Sequence, residues 1–267
     1  MHSQGSITLY LLLGIVILGA FFLAGGIPRF DYSPTDNTPA GEVVVETPGA
    51  SQDSLQLKKL KFKQCAGTLT MDLLLDRSGS MDLTTPSGVK KLDALKSAVL
   101  EITKKLTDES IIGIQSFDSV SRTNDVPINF YKNVKDTIPP ALNAMAPGFQ
   151  TPTHDALAFS YGLLADAVPK YTGRKFGFIF ITDGLPIPSS QDPRLFNPNP
   201  ADQIKNLGVD VYTLGVHSPN DQLTIDFSTL LKSIASKPGN YYEAPSADDI
   251  GNILKEITNK LCSGSGQ

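Results

Sequence analysis

A chain of 267 residues, 40% hydrophobic and 19% charged, is long enough for one well-cored domain with appendages and too short for two or three full ones. Its 23 basic and 27 acidic residues leave a formal net charge of −4, which exerts no long-range pull on nucleic acid or an anionic surface and excludes nucleic-acid binding as a leading function.

Ile7 to Ile27 is an almost unbroken apolar run of 21 residues, which at about 1.5 Å per residue spans a hydrocarbon core of about 30 Å. It reads as a membrane anchor or a signal segment, residues 1–27 together. Ala24 and Gly26 offer small residues for cleavage, but no Lys or Arg precedes the run, which favours a retained anchor. Arg29 alone flanks it closely, so orientation is poorly marked. Residues 28–56 turn to Pro, Thr, Ser, Gly and Asp, with Pro28, Pro34, Pro39 and Pro48 spaced through them, and read as a tether. Residues 57–262 form the domain, and 263–267 a short tail.

Within the domain, strands and helices alternate. The pattern predicts strands at Thr68–Leu75, Ile111–Phe117, Val126–Tyr131, Phe176–Thr182, Val209–Val216 and Tyr241–Tyr242. Between them, Leu92, Leu95, Val99, Ile102 and Leu106 recur at helical spacing, and further helices are predicted at Ala156–Val168, Ala201–Leu207, Leu223–Ala235 and Ala247–Leu261. Thr151 or Thr153 is the expected cap of the second helix, with Pro152 suited to its first turn. The alternation implies an α/β fold: a doubly wound, mostly parallel six-stranded sheet with helices on both faces.

The first strand runs into Asp76-Arg77-Ser78-Gly79-Ser80-Met81, so a carboxylate and two hydroxyls emerge where a buried strand ends. Such oxygens suit a hard cation, and open α/β sheets bind ligands beyond the carboxyl ends of their strands. Two more stretches complete the pattern: Gly148-Phe149-Gln150-Thr151-Pro152-Thr153 ahead of a helix, and Ile181-Thr182-Asp183-Gly184 at a later strand end.

On these three stretches, from about Lys58 to Cys262, the domain resembles a von Willebrand factor type A domain, the fold of the integrin I domains. The resemblance implies a metal-ion-dependent adhesion site in which Ser78, Ser80 and Thr151 offer hydroxyls, while Asp76 and Asp183 act directly or through water. It implies Mg²⁺ as the ion, with Mn²⁺ or Ca²⁺ as alternatives, and a protein partner that supplies an Asp or Glu carboxylate. The competing reading of these residues is ordinary capping of free backbone N–H groups. Gln4-Gly5-Ser6 before the apolar run is similar to the start of archaeal pilin-like precursors, although Thr8 stands where their Glu would be. That similarity points toward a pilus-like or surface assembly.

Cys65 and Cys262 bracket the domain, and some exported members of the resembled family join these ends by a disulfide, which here would tether the last helix. Lys58, Lys59, Lys61 and Lys63 alternate with apolar residues and suit an edge strand guarded by charge, or else a headgroup patch. The 17-residue connection from Gly184 to Pro200 carries five prolines; it either overhangs the metal face or is a tolerated insertion. His154 begins a helix or contacts a partner.

Catalysis finds no support in motifs: there is no nucleophile elbow, phosphate loop or zinc-protease helix, and only three histidines. The expected role is a non-enzymatic, metal-dependent binding module held outside the cell by residues 7–27. The alternative is a membrane-tethered subunit docking on a separate ATPase, as some domains of this family do inside cells.

Overall fold

The computed structural model of the chain describes residues 68–85, 87–217 and 225–264. The expected anchor, tether, lysine-rich edge strand and Cys65, and with Cys65 the bridge to Cys262, lie outside the described residues. Among the described residues, no helix is long and apolar enough to cross a membrane.

Six strands among the described residues make one sheet: β1 (Thr70–Asp76), β2 (Ile111–Phe117), β3 (Arg122–Phe130), β4 (Gly177–Thr182), β5 (Asp210–Val216) and β6 (Tyr241–Ala244). Their order is β3-β2-β1-β4-β5-β6, and every pair is parallel except β2 with β3. The strands β1, β2 and β4 are buried along their whole length. Helices on both faces account for these continuous apolar runs, since a strand covered twice has no solvent side to make polar.

Among the described residues, seven α-helices accompany the sheet: α1 (Lys91–Thr103), α2 (Tyr131–Val134), α3 (Ile138–Ala144), α4 (Thr153–Ala167), α5 (Pro200–Asn206), α6 (Ile225–Ile234) and α7 (Ala247–Gly264). On one face Met71, Leu73 and Leu75 pack with Leu92, Leu95, Val99 and Ile102 of α1 and with Ile250, Leu254 and Ile257 of α7. On the other, Leu74, Phe178 and Phe180 meet Ala156, Leu157 and Leu164 of α4, Ile204 of α5 and Leu230 of α6. The period-two alternation of β1 therefore divides its side chains between two separate cores.

Several boundaries differ from the sequence reading. Asp76 is the last residue of β1, which places its carboxylate on the rigid strand. The strand β3 starts at Arg122, because this sheet-edge segment pairs Phe117 with Arg122 and Ser116 with Thr123 through backbone alone, without an apolar pattern to reveal it. Tyr131, expected in that strand, opens α2. The helix α3 escaped notice because Pro139 and Pro140 sit near its start, where a missing N–H costs little. At α4 it is Pro152 that holds the cap position, with Thr153 the first helical residue, and no side chain caps it.

The chain leaves β1 for β2 on one side and returns to β4 on the other. The carboxyl ends of β1 and β4 thus flank the point where the strand order reverses, the place where an open sheet leaves a crevice for a ligand. Asp76 ends β1 and Asp183 follows the last residue of β4.

Asp72 is a second carboxylate of β1, wholly buried on the α4 side. Gln115 Nε2 donates to its Oδ1 at 2.5 Å and Ser160 donates to Gln115 Oε1 at 3.3 Å, while Asp72 Oδ2 has no partner. A Cβ on Gly113 would collide with Asp72 Oδ1, so glycine is what lets β2 pass the carboxylate. Burial raises the Asp72 pKa from 3.8 to about 7, against the smaller lowering effect of its hydrogen bonds. Because the folded value is the raised one, this contribution to stability is whole below the unfolded pKa and is lost as pH climbs through about 7. Fully expressed, that difference is on the order of 4 kcal/mol. Asp72→Asn is therefore expected to gain stability over the parent at about pH 8.5 and little at about pH 4, in urea unfolding at both values. An unchanged difference between the two pH values would contradict a buried, titrating Asp72.

Candidate metal site

The first loop leaves β1 at Asp76, which is fully buried. Its Oδ1 accepts from the Ser78 backbone N–H at 2.7 Å and its Oδ2 from the Thr182 hydroxyl, at the end of β4, at 2.6 Å. Ser78 Oγ lies 3.1 Å from Ser80 Oγ, and the Ser80 hydroxyl donates to Asp183 Oδ1 at 2.6 Å. A short 3₁₀ turn, Gly79–Asp82, holds this bend, with Ser78 at its cap position. Four of the five residues expected from sequence, Asp76, Ser78, Ser80 and Asp183, are therefore joined by direct contacts.

Thr151 reaches the same place through the backbone of its loop. Gly79 N–H donates to Phe149 O at 2.9 Å, Gly148 N–H to Arg77 O at 2.6 Å, and Ile187 N–H to Thr151 O at 3.0 Å. The Thr151 segment is thus laced to the first loop on one side and to the chain beyond Asp183 on the other. Thr151 itself is 3% exposed. Its expected role as a helix cap gives way to one as a loop residue at the site.

The donor set suits a hard divalent cation. Three hydroxyls and two carboxylates are all oxygen, and among the described residues no group of three or more His, Cys, Asp or Glu competes for a softer metal. Asp76 carries the electrostatic signature of such a place: burial first, then the negative charge of Asp183, raises its pKa from 3.8 to about 7. Two carboxylates that repel each other in a buried pocket are a site at which a cation relieves the repulsion.

One residue of the site was not foreseen. The Lys91 ammonium lies 2.9 Å from Asp183 Oδ2, and both side chains are almost wholly buried. The signal was present in the sequence as a lysine opening a helix, where the macrodipole disfavours positive charge. Its partner, however, lies 92 positions away.

The loops are braced from beneath by Arg77. Its guanidinium pairs with Asp118 Oδ2 at 2.8 Å, donates to Ala146 O at 3.1 Å and contacts the Ser121 hydroxyl. Asp118 is buried and also accepts from Val120 and Ser121 N–H, and a Cβ on Gly148 would strike its carboxylate. One ion pair therefore ties the β1 loop, the β2–β3 turn and the Thr151 loop.

The Gly184–Pro200 connection folds into two 3₁₀ turns, Ser189–Gln191 and Pro193–Leu195, and packs on α4. Gln191 Oε1 accepts from Asp155 N–H at 3.1 Å, and Phe196 stacks on His154 with ring centroids 3.4 Å apart. Arg194 bridges Asp192 and Asp226 of α6. His154 thus staples this connection to the start of α4. The segment touches the Thr151 loop at Ile187 and continues along the start of α4 to Asp226 of α6.

Arg77→Ala leaves Asp118 buried without its cation, at an expected cost of about 3 kcal/mol, and a smaller cost in an Asp118→Asn background. Urea unfolding of the parent and the three variants of this cycle measures it; equal costs in both backgrounds would show that the pair does not brace the loops.

Residues 72–257 match the von Willebrand factor type A domain. Among solved structures, the fold is similar to the vWF domain of the type V pili tip protein Mfa5 from Porphyromonas gingivalis, at TM-score 0.60 and 13% identity over 75% of this chain and 97% of that one. Proximal thread matrix protein 1 from the mussel byssus matches at 0.57 and 19%, over 74% of this chain and 47% of that one. Another structure of that byssus protein is described with a zinc-occupied MIDAS motif. The pilus adhesin SpaC from Lactobacillus rhamnosus GG matches at 0.58 and 18%, over 76% of this chain and 31% of that one. The chain thus spans about half of the byssus protein and about a third of the adhesin, and at these identities the likeness is one of fold. With the family match covering most of the chain, this protein belongs to the von Willebrand factor type A domain family.

Proposed function

We propose that the protein is a non-catalytic binding module in which Asp76, Ser78, Ser80, Thr151 and Asp183 hold a divalent cation and a protein partner supplies a carboxylate to it. The observation that carries the reading is the composition of the cage: two carboxylates and the Ser78 and Ser80 hydroxyls joined at the strand-order reversal, with buried Thr151 on a loop laced to them and the Arg77–Asp118 pair bracing both. Bound there, Mg²⁺ or Mn²⁺ would keep much of its positive charge and so attract an anionic oxygen.

The surroundings support a protein ligand. Leu83, Val120, Phe149 and Ile187 are 59%, 71%, 74% and 50% exposed. Each is bonded into the site: Leu83 N–H to Ser80 O, Val120 N–H to Asp118, Phe149 O from Gly79, and Ile187 N–H to Thr151 O. An acidic side chain flanked by apolar residues matches a charged centre with such a rim. The similarity to a pilus tip domain and a pilus adhesin supports a role at the cell surface; the reading of residues 7–27 as a membrane anchor rests on their apolar run alone.

The test selects peptides from a random display library on the full chain in detergent with Mg²⁺. Selected peptides are expected to share an Asp or Glu, and to lose binding when it becomes Asn or Gln, when Mg²⁺ is chelated, and in Ser78→Ala with unchanged circular dichroism. Phe149→Ala is expected to weaken the same peptides at least about tenfold while leaving cation binding intact. Capture that survives the chelator would overturn the reading.

A further inference from the structure

All four carboxylate oxygens at the centre of the site already have donors from the protein. Asp76 Oδ1 takes Ser78 N–H, Asp76 Oδ2 the Thr182 hydroxyl, Asp183 Oδ1 the Ser80 hydroxyl, and Asp183 Oδ2 the Lys91 ammonium. Lys91 is the costly member of this set. Its side chain is 3% exposed, and burying an ammonium is unfavourable unless it is paired and hydrogen-bonded. It is also the first residue of α1, at the positive end of the helix dipole. The preceding Lys90 shows the cheaper arrangement, half exposed and paired with Asp82 at 2.7 Å. Asp183, whose Oδ2 takes the ammonium at 2.9 Å, helps to offset both costs at Lys91.

We propose that Lys91 is a resident counter-cation that closes the cage and that a divalent ion must displace from Asp183. The inference rests on the reading of the site as a divalent-cation site. With both carboxylates and the ammonium ionised, the centre carries a formal charge of −1, so the cage holds together before any ion arrives. An incoming ion and the ammonium compete for the same carboxylate. Lys91 therefore sets the cation concentration at which the site loads, and with it the threshold for capturing a partner.

The experiment titrates Mn²⁺ into the full chain in detergent, following free Mn²⁺ by electron paramagnetic resonance, and repeats it in Lys91→Met, Lys91→Gln and Lys90→Met. Both Lys91 variants are expected to bind Mn²⁺ at least about tenfold tighter than the parent. Lys90→Met, which removes the same charge one position away, is expected to change affinity by less than about threefold. Thermal unfolding supplies a second readout: in chelator the Lys91 variants melt below the parent, and Mn²⁺ raises their midpoint more than it raises that of the parent. Lys91→Gln retains a donor for Asp183, which guards against a variant that fails only for want of a hydrogen bond. Equal or weaker Mn²⁺ binding in both Lys91 variants, with the parent still binding, overturns the role of Lys91 and leaves the cation site standing. No binding by any of the four overturns both.

Discussion

Two carboxylates, Asp76 and Asp183, are held out of water at the ends of adjacent parallel strands, and the architecture around them answers the repulsion that results. Neither position is free to move. Asp76 closes β1 and Asp183 directly follows β4, so the register of the sheet fixes their approach. Hydroxyls from Thr182 and Ser80, a backbone N–H from Ser78 and the ammonium of Lys91 then converge on the four oxygens. A buried pair of like charges is stable only with such a shell, and the repulsion it answers is the one that a divalent ion would also relieve.

Support for the shell comes from farther down. The Arg77–Asp118 pair anchors three loops at once, and close backbone approach at Gly148 lets the Thr151 segment lie against it. On the other flank, stacking of His154 with Phe196 and the Arg194 bridge to Asp226 fix the long connection after Asp183. The loops that carry the chemistry are therefore tied into the two hydrophobic cores through short, specific contacts. That arrangement suits binding, which needs ligand oxygens already in place before the ligand arrives.

Much of this was legible in the sequence. Runs such as Leu73-Leu74-Leu75 and Phe178-Ile179-Phe180 announce strands buried on both faces, and their alternation with helical spacing in Leu92, Leu95, Val99 and Ile102 gives the doubly wound sheet. The strand-end Asp76-x-Ser78-x-Ser80 pattern and Asp183 named four residues that direct contacts join, and Thr151 lies on a loop whose backbone is bonded to theirs. Lys91, Asp118 and Arg77 were not legible as a group, because their partners lie far along the chain and no local period encodes an ion pair. The edge strand β3 and the proline-bearing helix α3 were blurred for a different reason. Backbone pairing at a sheet edge and proline in a first helical turn both satisfy structure without an apolar signature.

The central claim is that this shell is a cation site and not merely a self-satisfied cluster of caps. Anomalous diffraction from crystals of the protein grown with Mn²⁺ tests it most directly. The account predicts one strong anomalous peak among the hydroxyls of Ser78, Ser80 and Thr151 and the carboxylates of Asp76 and Asp183, with the Lys91 ammonium withdrawn from Asp183. A cage that stays closed on Lys91 with no anomalous peak, at Mn²⁺ concentrations that fill other sites on the surface, would contradict it.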